Sequence, residues 1–128
     1  MHDQPTAGEL IAAVRSFLAE TARPALMGHA AFHARVAENV LAIVERELEH
    51  APRADGAARK RLLALLYESD DTALDALNTQ LSDAIRAGTL DETSPGLLDH
   101  LKATTIDQLK VDQPKYSGLA IAMKSGQD

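Results

Sequence analysis

Cysteine and tryptophan are absent from this chain of 128 residues, and phenylalanine and tyrosine supply only two residues each. Without a thiol there is no disulfide, no thiolate metal centre and no cysteine nucleophile. The composition suits a reducing compartment without requiring one. Strand-like alternation of β-branched residues is missing, which counts against a sheet. No apolar run reaches the roughly 18 residues that mark a membrane helix, so no membrane span is expected. Met1-His2-Asp3-Gln4-Pro5 has neither the basic nor the apolar part of a secretory signal, and the expected location is the cytoplasm. Positive charge is also scarce. Thirteen Lys and Arg face nineteen Asp and Glu, a net charge of -6. A field of that sign repels phosphate backbones, and Arg59-Lys60-Arg61 is the one compact basic run, so nucleic acid is not an expected partner.

What remains is rich in alanine and leucine, a composition that favours helices in close contact. Thr6 and Glu9 have the spacing of a capping box, and Leu10, Ile11, Val14, Phe17 and Leu18 fall on one face behind it. This first helix is expected to stop before Pro24. A second begins between Pro24 and Gly28 and runs to about Glu49. Its apolar side holds Phe32, Val36, Ala37, Val40, Leu41, Ile43, Val44 and Leu48. Arg35, Glu38, Asn39, Glu45, Arg46 and Glu49 occupy the opposite side. Pro52 and Gly56 mark His50 to Gly56 as a linker. Asp55 then caps a third helix through Leu62, Leu63, Leu65 and Leu66, whose basic first turns oppose the helix dipole and hint at another task for one of those cations.

Glu68-Ser69-Asp70-Asp71 reads as a turn. Leu74, Leu77, Leu81 and Ile85 give a fourth helix that Gly88 ends in a left-handed conformation. Ser94-Pro95 supplies a cap and first residue for a fifth, with Leu97, Leu98, Leu101, Thr105, Ile106 and Leu109 inward, ending between Val111 and Pro114. The expected fold is all-α: a compact bundle of about five helices with an apolar C-terminal segment. Residues 1–128 form a single domain in this reading, with 112–128 a candidate docking tail.

Catalytic signatures are thin. His29 and His33 have a spacing that metals use, but a third ligand is missing, and His33 bonded inside the bundle with His29 exposed is the plainer reading. Neither a strand-to-helix nucleophile elbow nor a glycine-rich phosphate loop occurs. Asp70 and Asp71 read as helix-start carboxylates in preference to a magnesium site. No catalytic residue, cofactor or metal is expected. Arg35 offers a rigid donor fork and Asn39 an amide with donor and acceptor, beside Glu38 as a weak ion-pair partner for Arg35. Lys115 and Tyr116 follow a rigid Gln113-Pro114 bend, where the tyrosine ring suits either an interface or its own bundle.

Pro5-Thr6-Ala7, Glu9-Leu10, Phe32-His33-Ala34-Arg35-Val36-Ala37, the run Asn39 to Leu48 and Val111-Asp112-Gln113-Pro114-Lys115-Tyr116-Ser117 together resemble an uncharacterised bacterial family, domain-of-unknown-function family 6285. Members look like companions of kinases similar to aminoglycoside or choline phosphotransferases, often encoded beside acyl-CoA-dehydrogenase-like enzymes. The resemblance implies a non-catalytic accessory or regulatory subunit that supports phosphorylation of a hydroxyacyl-CoA by its partner kinase. It makes Phe32, His33, Arg35 and Asn39 candidates for an interface or an inter-helix polar network. Lys115 and Tyr116 complete the candidate partner-binding set. Gln113 departs from the asparagine usual at that place. Two alternatives stand beside this one: a small acid-base enzyme using His33 with a carboxylate brought near it by folding, and a self-associating structural or ligand-binding bundle.

Overall fold

The computed structural model describes residues 4–125. The start of the N-terminal segment read above and the last three residues of the 112–128 tail lie outside them. The chain is all-α, as its composition implies, with five helices among the described residues. We number them α1 (Ala7–Phe17), α2 (Gly28–Leu66), α3 (Leu74–Arg86), α4 (Leu97–Asp112) and α5 (Ser117–Ser125). No helix among the described residues is long and apolar enough to cross a membrane. Two compact units divide the chain between His50 and Ala51.

The first unit is a pair of helices joined by a short connection. The Thr6 hydroxyl accepts a bond from the Glu9 amide at 3.1 Å, which starts α1 as its sequence requires. The helix does not stop before Pro24. It widens into a π turn at Leu18–Ala22 and continues as a last α turn, Arg23–Ala25. The wider turn suits a proline that has no amide to donate and whose ring crowds the preceding carbonyl. Two ion pairs clamp α1 and its extension to α2. Arg15 Nε and Nη2 donate to Glu45 at 3.0 and 2.8 Å. Arg23 Nε donates to Glu38 at 2.6 Å, with a longer contact from Nη2. The Glu45 contact raises the Arg15 pKa.

The linker expected from His50 to Gly56 is helix. Pro52 lies inside α2, which runs unbroken over 39 residues. Proline removes one rung, the bond from position 52 to the Leu48 carbonyl. Ala51, Ala54, Ala57 and Ala58, strong helix formers, surround the gap and carry the helix across it. α2 ends at Tyr67, a non-glycine residue with φ 53°, and Glu68 N–H closes the end on the Leu63 carbonyl at 3.2 Å.

The second unit holds the core of buried leucines found among the described residues. Leu62, Leu77, Leu81 and Leu97 are buried, with Leu63, Leu66, Leu74 and Leu90 packed around them. The four-residue step from Leu77 to Leu81 puts both on the inner side of α3. Gly88, at φ 77°, follows the cap Ala87, and the amides of Gly88 and Thr89 return to Ile85 and Ala84. That is the glycine stop its position implies. Ser94-Pro95, however, is not the start of α4. Leu97 N–H bonds the Ser94 carbonyl across a turn with Gly96 at φ 87°, and α4 begins at Leu97. Proline second and glycine third make this a type II turn, with the positive φ falling where only glycine takes it without strain. The Ser94 hydroxyl points back to the Asp91 amide instead of forward into the helix. Leu119 of α5 is buried, and α5 packs against α4.

Candidate functional site

Within the first unit, α2 carries a series of exposed apolar side chains. Phe32, Val36, Val40, Val44 and Leu48 recur every four residues, and all are exposed, Phe32 at 62% and Val40 at 52%. Each four-residue step winds about 40° around the helix, so Phe32, Val36 and Val40 form one row while Val44 and Leu48 turn progressively away from it. Leu10, Val14 and Phe17 of α1 are exposed as well. The sequence pattern assigns these residues to the inward sides of their helices. The structure corrects that: the packed seam uses Ala34, Ala37, Leu41 and, in α1, Ile11 and Leu18, all buried or half-buried. Both apolar sides are wider than the seam that closes between α1 and α2, and the excess stays open. Singly exposed apolar residues are ordinary, whereas a continuous row of them marks a binding surface.

Phe32, His33, Arg35 and Asn39 all lie on that helix. Steps of three and four residues put Arg35 and Asn39 along the edge of the row formed by Phe32, Val36 and Val40. All four are exposed. His33 is therefore not bonded inside a bundle. Its ring meets the Phe32 ring edge-on, with centroids 5.7 Å apart. The expected Arg35–Glu38 pair is also replaced, because Glu38 turns to Arg23. Arg35 makes no ion pair among the described residues, so its donor fork is open to a partner. Among the described residues no three His, Asp or Glu side chains gather around a common point for a metal.

Lys115 and Tyr116 belong to the second unit. Both are exposed, and Tyr116 N–H closes the Pro114-Lys115 bend on the Gln113 carbonyl at 3.0 Å. The tyrosine is partly engaged with its own chain. Its ring lies over Gly118 so closely that a β-carbon there would stand 2.5 Å from Tyr116 Cε1.

A second polar group, invisible in the sequence, occupies the other unit. His100 is 2% exposed. Arg61 Nε donates to its Nδ1 at 2.9 Å, and Arg61 Nη2 reaches the Thr104 hydroxyl at 3.4 Å. Burial first, and the Arg61 charge second, push the His100 pKa down. A neutral imidazole with its proton on Nε2 fits that bond, because Nδ1 must then accept. Because α2 runs on to Leu66, the basic run does not stand at a helix start as the sequence pattern implies but near a helix end, where cations are tolerated. Arg61 serves His100, and Arg59 Nε donates to the Thr72 carbonyl at 3.0 Å. The turn after α2 is tied down by the Ser69 hydroxyl, which donates to Asp71 and lowers that carboxyl's pKa. The Thr93 hydroxyl and amide do the same for Asp91.

One family model, described as Domain of unknown function (DUF6285), matches residues 24–116. That span contains all six residues of the candidate partner-binding set and both members of the Arg61–His100 pair, while α1 and α5 lie outside it. No curated protein and no solved structure matches the chain.

Proposed function

The chain belongs to the DUF6285 family, and from that premise we propose that it is a non-catalytic accessory subunit whose partner is a phosphotransferase-like kinase. The observation that carries the binding part is the uncovered row from Phe32 to Val40 with Arg35 and Asn39 along its edge. Burying one such side chain as large as Phe32 contributes about 1.5–3 kcal/mol. A row of three, rimmed by a guanidinium and an amide, has the make-up of an interface centre with a polar border. The choice of a kinase, and of a hydroxyacyl-CoA as what it phosphorylates, rests on the family resemblance of the sequence. To regulate and not merely attach, the row must bind the active and inactive states of the kinase with different affinity.

Co-purification with the kinase, followed by kinase assays with and without this chain, tests the reading. Phe32→Asp and Val40→Asp place charge in the row at exposed positions. Both variants are expected to keep the wild-type melting temperature while weakening kinase binding at least about tenfold, which is 1.4 kcal/mol. An active kinase that neither binds the chain nor changes in rate or stability beside it would overturn the proposal. The same uncovered row also fits a second copy of the chain. Native mass spectrometry of the isolated protein separates that reading: a stable dimer lost in Val40→Asp favours self-association.

A further inference from the structure

Within the second unit a cleft of about 420 Å³ opens between the end of α2 and the turn that leads into α4. Ala64, Leu65, Leu90 and Pro95 give it apolar walls, and Arg61 and Asp99 supply its charges. The size lies in the range of small-molecule sites, which combine such walls with a few fixed polar groups.

The two charges are not equivalent. Arg61 is held from behind by His100 and Thr104, both of them uncharged acceptors. Arg61 makes no ion pair among the described residues, so its guanidinium is oriented without a bound carboxylate. Asp99 is exposed and sits in the first turn of α4, where the helix's own amide ends already favour an acid. The cleft therefore presents an oriented guanidinium beside an apolar trough, with the Asp99 carboxylate as its second charge. Tyr67 stands at its lip, 95% exposed and in a left-handed backbone conformation that a side chain adopts only at some cost in strain.

We propose that this cleft binds a small amphiphile, an apolar acyl or aryl body carrying one carboxylate head, with the head on Arg61 and the body against Leu65, Leu90 and Pro95. A guanidinium fork matches a carboxylate in geometry as well as charge. The inference concerns the isolated chain and stands or falls apart from the kinase reading.

Nuclear magnetic resonance titration of the full chain with octanoate, octanol and octylamine tests it. The expected result is that octanoate shifts the amide signals of Leu65, Leu90 and Gly96 and binds at least about tenfold more tightly than octanol, with octylamine weakest. Arg61→Gln is expected to bring octanoate down to the level of octanol. Asp99→Asn, a change at an exposed position that leaves the Arg61 contacts in place, is expected to strengthen octanoate binding. That second variant keeps the test decisive if Arg61→Gln fails to fold. Octylamine binding as well as octanoate, octanoate perturbing residues elsewhere, or Asp99→Asn weakening octanoate would each overturn the assignment.

Discussion

Arg23 holds Glu38 through a 2.6 Å bond from Nε and a longer one from Nη2, across fifteen residues of sequence, and so takes from Arg35 the carboxylate one helical turn away. One ion pair thus does two things. It fastens the extension of α1 to α2, and it leaves a cation unneutralised beside an open apolar row. The pair is partly covered, Glu38 more than Arg23. A double-mutant cycle on Arg23→Ala and Glu38→Ala should return a coupling of about 0.5–1 kcal/mol in urea denaturation, smaller in high salt. A coupling indistinguishable from zero would mean the contact fastens nothing.

Tyr67 ends α2 at φ 53° with its side chain in solvent. Glycine takes that conformation without steric penalty, so Tyr67→Gly should raise stability by about 1 kcal/mol despite removing an entire aromatic ring. Thermal or chemical denaturation reads the sign directly. A loss of stability would show that the ring contributes more than the backbone strain costs.

His100 makes the second unit sensitive to mild acid. Its folded pKa lies below the ordinary imidazole value because burial and the Arg61 charge both oppose protonation. Stabilisation is therefore complete above the unfolded value, about pH 6.5, and is lost as the pH falls through the lower folded value. Asp71 and Asp91, whose pKa values are also lowered, act at more acidic pH, since carboxyls begin near 4. Melting temperatures between pH 7.5 and 5 should fall more steeply for the wild type than for His100→Asn, whose amide oxygen still accepts from Arg61 but does not titrate. Parallel slopes would remove His100 from the explanation.

Pro52 is the weak rung of α2. Replacing it by alanine restores a donor for the Leu48 carbonyl and removes the clash of the ring, and should stabilise the chain by about 1–3 kcal/mol. Amide exchange around Leu48 and Ala51 should slow in parallel. An unchanged exchange rate would show that the helix has already relaxed around the proline.

These features mark how far the sequence could be read. The Thr6 cap, the Gly88 stop and the Leu77–Leu81 side of α3 follow from local rules, because each depends on residues within one or two turns. Pro52 with Gly56 misleads because the alanines around these two breakers carry the helix across them. Ser94-Pro95 misleads because Gly96 offers the pair a turn that competes with a cap. Nothing local announces a tyrosine in the glycine position at the end of α2. The candidate site divides in the same way. Phe32, Arg35, Val36, Asn39 and Val40 share a helix, so their proximity is legible from spacing, but whether another helix covers them is not. Arg61 and His100 are 39 residues apart, and only folding brings them together.

The phenol of Tyr116 rests against position 118 so closely that it keeps this place only beside a hydrogen. A methyl group at residue 118 would tip the ring away from its shelf, so the outlook of this aromatic is decided by a neighbour with no side chain at all. Glycine 118 thereby governs which surface the phenol offers to the solvent, and evolution or an engineer can re-aim Tyr116 without touching it.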